Sequence, residues 1–250
     1  MSLSEIEIGK VNLRTIVLMQ YLYKLKGSSS LIHSLIFMQL LGLIFSLTPN
    51  GSMGAGSDFI TVSVNLFSTN LLQIFSMVWM VGITNYFISS NYRRLELPLT
   101  HDSLSGHLSN ILLILTIAIF AGTTSTLLSI PHRIILLFIY SDSGEFFLDG
   151  ISISPAALLL GVFVSTLYLL LLAALSYLIR AVIEVNRIFI VILPALFIGL
   201  ARPYQEFYAA VFNCFTAEPS LALFLLKAFM ASAAFFALSF LITRKTEVGK

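Results

Sequence analysis

From Ile153 to Ile179 the chain reads ISPAALLLGVFVSTLYLLLLAALSYLI, without one charged side chain. A backbone in hydrocarbon must satisfy its N–H and C=O groups internally, which leaves helices and closed barrels as the only spanning structures. A helix crossing a core of roughly 30 Å needs about 20 mostly apolar residues, and this run supplies them. Five more stretches meet or approach that length, so the spans expected are 30–48, 66–88, 108–130, 153–179, 188–201 and 221–243. The fifth is short, reaching about 21 Å at 1.5 Å per residue, and Arg202-Pro203 closes its apolar run.

Composition points the same way. Charged residues make up 10% of the chain, against about 25% in a soluble domain, and the mean hydropathy is +0.95. The fold class expected is an all-α integral membrane protein, one transmembrane domain over 1–250. The start MSLSEIEIGK is acidic where a signal peptide is basic, so the first span is expected to stay in the mature protein. A net charge of +2, scattered along the chain, gives no nucleic-acid footprint. Cys214 is the one cysteine; it excludes an internal disulfide and reads as a buried small apolar residue.

Lys and Arg set orientation, because cytoplasmic loops retain them. With the N-terminus inside, Lys10, Arg14, Lys24, Lys26, Arg93, Arg94, Arg180, Arg187, Arg244, Lys245 and Lys250 fall on the cytoplasmic side, eleven of the fourteen basic residues. Arg133, Arg202 and Lys227 fall outside. The expectation is a multi-pass protein of the cell membrane with both termini cytoplasmic. No acidic residue falls in the middle of a span, and Lys227 lies near enough to an outer end to snorkel. Proton relays and ion-coupled pumps generally need ionisable groups within the membrane, so energy for transport would come from elsewhere.

Residues 9–26 mix apolar and basic positions, with Val11, Thr15, Leu18 and Leu22 on one side of a helix and Lys10, Arg14 and Lys24 elsewhere. That pattern predicts an interfacial helix on the inner leaflet. The segment 202–220 opens with Pro203 at a first helical position and carries Tyr204, Phe207, Tyr208, Phe212 and Phe215; it predicts a re-entrant or surface-lying outer element. Within the spans, Asn70, Gln73, Asn85, Ser165, Thr166 and Tyr168 serve either interhelical hydrogen bonds or a substrate path. Asn70 and Gln73 share a helical face. Pro194 is placed to kink the fifth span beside a cavity. Asn70, Gln73, Tyr168 and Pro194 are the candidate path residues.

Catalytic motifs are missing: no G-x-x-x-x-G-K-[ST] phosphate loop, no H-E-x-x-H pair and no G-x-S-x-G elbow. The chain is not expected to be an enzyme by itself, or to hold a cofactor or metal. His101 and His107 stand about 240° apart around a helix and do not converge on one ion. His33 and His132 lie near span ends and read as interfacial hydrogen-bonding residues.

The longest polar interval after the N-terminus is NYRRLELPLTHDSLSGHLSN, 91–110. Pro98 separates the end of span two from a short helix that Thr100 or Asp102 would cap, running through Ser103, Leu104 and His107. This link is longer than a simple turn needs, and it predicts a docking element. The stretch RRLELPLTHDSLSGHL resembles the permease subunits of ATP-binding-cassette transporters of the second, exporter-like class. Arg93, Arg94 and Glu96 match the charged part of their link, and Pro98, Leu99, Thr100 and Leu104 match their coupling helix. The six-span architecture is similar as well, although the family's Glu-x-Gly-Thr segment is lacking and the link is shorter. The resemblance implies a separate cytoplasmic ATPase carrying ATP and Mg, docked on Arg93, Arg94, Glu96, Pro98, Leu99, Thr100, His101, Asp102, Ser103 and Leu104. It also implies a second permease copy or paralogue, and export of a hydrophobic or amphipathic peptide, antibiotic or lipid-like cargo. The competing class is a non-transport membrane scaffold or assembly subunit, or an ATP-independent transporter.

Overall fold

The computed structural model describes residues 13–48, 51–57, 60–88, 103–140, 146–148, 154–201, 203–216 and 220–248. In chain order they form α1 (Leu13–Gly27), α2 (Ser29–Ser46), β1 (Gly51–Ser57), β2 (Ile60–Phe67), α3 (Asn70–Ile88), α4 (Ser103–Leu127), α5 (Ser129–Tyr140), β3 (Phe146–Leu148), α6 (Pro155–Val185), α7 (Phe189–Ala201), α8 (Gln205–Thr216) and α9 (Leu221–Val248). The apolar framework is helical. Four helical stretches are long and apolar enough to cross a membrane: Asn70–Ile88, Leu104–Tyr140, Pro155–Val185 and Leu221–Arg244. A fifth arises if α1 and α2, bent by 56° at their junction, form one span, and Phe189–Leu200 is a shorter apolar helix.

Which side chains face inward shows the setting. Large apolar residues are exposed on all these helices, including Phe37, Val78, Phe138, Phe163, Phe197 and Phe229. Gln20, Lys24, Gln39, His107, Asn110 and His132 are buried. In water this distribution would be costly. In lipid the apolar surface is already solvated and the polar groups need one another. The chain is built as a multi-pass membrane protein.

Helix α6 occupies the centre, packed on α3, α4 and α9, while α2 leans on α3 and α1 on α4. Its N-terminus is fixed by Ser154, whose hydroxyl accepts from the Ala157 N–H at 3.1 Å, with Pro155 in the first helical turn. Small residues let the helices approach closely. Ala118, Ala121, Ala173 and Ala174 are fully buried. A Cβ on Gly122 would lie 2.5 Å from Thr166 Oγ1 and 2.9 Å from its backbone N, so glycine sets the α4–α6 crossing. Gly42 plays the same part between α2 and α3, where a Cβ would stand 3.0 Å from Leu72 Cα.

The strands add an element that the sequence reading lacks. β1 and β2 form an antiparallel hairpin between α2 and α3, and β3 pairs in parallel with the end of β2, Asn65 opposite Phe146 and Phe67 opposite Leu148. This small sheet gathers the α2–α3 and α5–α6 connections at one end of the bundle. Leu66 and Phe67, expected to open span two, belong to β2, and the helix begins at Asn70. Span three extends past its expected end: α4 runs to Leu127, and α5 continues after a turn at Leu128. Arg180 to Val185, expected in a link, are helical, and the turn into α7 is confined to 186–188, where Asn186 Oδ1 accepts from the Ile188 N–H.

Two faces can be compared with the sequence reading, and the second is corrected. On α1, Leu18 and Leu22 point outward, 53% and 51% exposed, and Val17, Gln20 and Lys24 form the buried face. The helix turns its polar stripe to the protein and its apolar stripe to lipid, the reverse of the soluble rule. Cys214 is exposed on α8 rather than buried, because α8 rests on its neighbours by only part of its surface.

Candidate functional site

The first two turns of α4 carry the sequence SLSGHLSN, and helical spacing sends its polar residues in two directions. Ser105 and Ser109, one turn apart, face α1. There Lys24 Nζ donates to Ser109 Oγ at 2.8 Å and to Asn110 Oδ1 at 2.5 Å, and Gln20 Nε2 donates to Ser105 Oγ at 3.3 Å. All five side chains are buried. An ammonium removed from water requires such acceptors, since unpaired burial of a charge is far costlier than the hydrogen bonds are worth.

His107 faces the opposite way. Its Nε2 lies 3.2 Å from the Phe236 carbonyl on α9, and its Nδ1 lies 2.9 Å from the Tyr177 hydroxyl on α6. A carbonyl only accepts, so Nε2 carries the proton, and in the neutral ring Nδ1 accepts from Tyr177. The ring packs edge-on against Tyr177, with centroids 5.1 Å apart, and lies 5.2 Å from Phe240. The head of α4 is therefore bonded to α1 on one face and to α6 and α9 on the other.

The docking residues Arg93, Arg94, Glu96, Pro98, Leu99, Thr100, His101 and Asp102 lie outside the described residues. Ser103 and Leu104 are the first residues of α4, and the helix they start continues without a break through span three. His107, read from sequence as part of the docking link, is buried in the bundle and offers no surface to a cytoplasmic partner.

Among the described residues no hydrogen bond joins the four candidate path residues to one another. Asn70 is exposed at the start of α3. Gln73 turns inward: its Oε1 accepts from Ser125 Oγ at 3.1 Å, and its Nε2 is a buried donor with no partner among the described residues. Tyr168 acts as a strut, donating to the Phe215 carbonyl of α8 at 2.7 Å with its ring 4.9 Å from Phe224. Pro194 is exposed on α7. A different seam links α3, α4 and α6: next to Gln73 and Ser125, Thr126 Oγ1 donates to Ser165 Oγ at 3.4 Å. Lower in the bundle Asn85 Nδ2 donates to Ser176 Oγ at 2.9 Å.

Sequence reasoning missed Gln39, whose Nε2 reaches Thr124 Oγ1 at 3.0 Å and both Ser76 Oγ and the Ala121 carbonyl at 3.3 Å. One amide thereby fastens α2 to α3 and α4. A glutamine amid apolar residues of span one was the available signal. His132 is buried rather than interfacial, donating from Nε2 to the Ser46 carbonyl at 3.0 Å and tying α5 to the end of α2. Among the described residues no group of three His, Cys, Asp or Glu side chains is arranged to hold a metal ion. Against known proteins the chain matches no family model, no curated protein and no solved structure.

Proposed function

We propose that the chain is the permease subunit of an ATP-driven transporter of the exporter-like ATP-binding-cassette class, working with a separate cytoplasmic ATPase. The observation that carries this reading is the double anchoring of α4 directly after the 91–102 link. A push on that link reaches α1 through Ser105, Ser109 and Asn110, and reaches α6 and α9 through His107. A passive cytoplasmic turn needs no such attachment. The Pro98-Leu99-Thr100 element, resembling a coupling helix, supplies the docking surface in this reading, with both termini on the same cytoplasmic side and six crossings in all.

The second permease copy has a natural place. Helix α7 is apolar, about 20 Å long at 1.5 Å per residue, and exposed along nearly its whole length. A helix too short for the bilayer gains most from protein neighbours, and a twin subunit would supply them. The seam of Gln73, Ser125, Thr126 and Ser165 supports an amphipathic cargo, the unfilled Gln73 donor offering one hydrogen bond. In this reading the cargo leaves the cell.

The test is co-expression with a phosphate-loop ATPase, which this reading expects to be encoded beside this chain. The pair should co-purify, and replacing Arg93, Arg94, Glu96 and Asp102 by Ala together should abolish the association. Association that survives the fourfold replacement removes the docking assignment, and failure of the unaltered chain to bind any such ATPase removes the transporter reading. A hydrophobic peptide that stimulates ATP hydrolysis by the pair would define the cargo class.

A further inference from the structure

The bend between α1 and α2 opens a wedge in the side of the bundle. α1 is held on α4 by Lys24, Gln20 and Tyr21, whose hydroxyl donates to Thr116 Oγ1 at 2.9 Å, the Thr116 proton being committed to the Leu112 carbonyl. α2 leans on α3, by the Gly42 crossing and by Gln39, whose amide also bonds Thr124 of α4 farther along. At the Ser28 turn the chain thus passes from α4 to α3, and α2 and α4 part until Gln39 bridges them again. The space left is a cavity of about 370 Å³, floored by Trp79 and walled by Leu31, Leu35, Ile117 and Phe120, with Lys26 and Ser28 at its mouth. Its size lies in the range of about 300–1,000 Å³ typical of small-molecule sites. A second hollow of about 310 Å³, lined by Ile36, Gln39, Leu40, Thr124 and Leu127, lies farther along the α2–α4 seam, where Gln39 bridges to Thr124.

We infer that this wedge binds one anionic phospholipid, its acyl chain along the α2–α4 seam and its phosphate at Lys26. The lining is apolar and opens sideways between helices that face hydrocarbon, so an acyl chain reaches it without crossing water. Lys26 is exposed at the cavity mouth and pairs with no acidic side chain among the described residues. Lys26 reaches outward from the wedge, and a long basic side chain can carry its charge toward anionic headgroups while its stem stays in apolar surroundings. Lys24, two residues away, differs: its ammonium is bound inward to Ser109 and Asn110. The site does not depend on the transport reading.

The protein carries its own reporter. Trp79 is the sole tryptophan, forms the cavity floor, and is 7% exposed, so bulk lipid scarcely reaches it. The full chain is reconstituted in dioleoylphosphatidylcholine vesicles containing, at equal low mole fraction, either phosphatidylglycerol or phosphatidylcholine with brominated acyl chains. Brominated phosphatidylglycerol should quench Trp79 half-maximally at a mole fraction roughly fivefold lower than brominated phosphatidylcholine does. Lys26→Glu should erase that preference with the Trp79 emission maximum unchanged. Ile32→Phe, adding bulk at a half-exposed wall position, should weaken quenching by both lipids. Equal quenching by the two lipids in the unaltered chain would overturn the headgroup assignment, and absence of quenching by either would show the wedge closed to lipid or covered by protein.

Discussion

At the scale of single residues, the bundle is specified by a few positions where volume or hydrogen-bonding capacity has no substitute. Gly122 is the clearest. Any Cβ there meets the Thr166 backbone, which a rotamer change cannot move, so α4 and α6 must separate, losing the packing around Ala118, Ala121, Ala173 and Ala174. Gly122→Leu should destabilise the protein by about 1–3 kcal/mol, read as a lowered thermal midpoint of the detergent-solubilised chain. Gly82→Leu is the matched control, since a Cβ there meets nothing within 4 Å; it should leave the midpoint unchanged or raise it, helix propensity favouring the larger residue. His107 tests capacity rather than volume. His107→Leu removes the acceptor that the Tyr177 hydroxyl has on α4, an expected loss of about 1–3 kcal/mol. If the hydrogen bond is the cause, Tyr177→Phe in the His107→Leu background should cost much less than Tyr177→Phe alone, and a double-mutant cycle with zero coupling would refute the bond.

At the scale of elements, α1 shows what periodicity gives and what it leaves out. It gave a helix of two faces with Leu18 and Leu22 on the outer one, but not what the other face packs against. Lys24 was legible as a charge; its burial was not, because burial depends on Ser109 and Asn110 arriving from 85 residues away. The strand ITVSVNLF had its own signal, alternation with β-branched residues, obscured because Leu66 and Phe67 lengthen the apolar run of span two. Of the six spans expected, four were legible because length alone decides them; Phe189–Leu200 is too short for that rule, and a fifth needs α1 and α2 taken together. The Lys24 clamp makes a prediction about α1 as a unit. Interhelical hydrogen bonds in membranes contribute about 0.6–2 kcal/mol each, so Lys24→Met should raise amide exchange along α1 several-fold while α6 amides stay protected. Asn110→Leu should do at least as much, leaving the ammonium with one acceptor fewer. Equal exchange in α1 before and after both changes would mean that apolar packing, not the clamp, holds this helix.

At the scale of the whole molecule, backbone pairing and charge distribution give two independent views of topology. Charge counting assigns the α2–α3 and α5–α6 connections to one side because they are poor in Lys and Arg. The pairing of β3 with β2 brings the same two connections together through hydrogen bonds, with no reference to charge. If α3 and α6 each cross once, the distal ends of both helices, and with them the end of α9, fall on the opposite side. The check is thiol accessibility in sealed vesicles. Cys214 is exposed and must first be replaced, as Cys214→Ser. In that background Ser57→Cys in β1 and Leu148→Cys in β3 should react with a membrane-impermeant maleimide from the same side. Arg244→Cys near the end of α9, exposed in the folded chain, should react from the other side only. Labelling of Ser57→Cys and Leu148→Cys from opposite sides would break the sheet. Labelling of all three from one side would remove α9 as a single crossing, and with it the placement of the C-terminus beside the 91–102 link on which an ATPase partner depends.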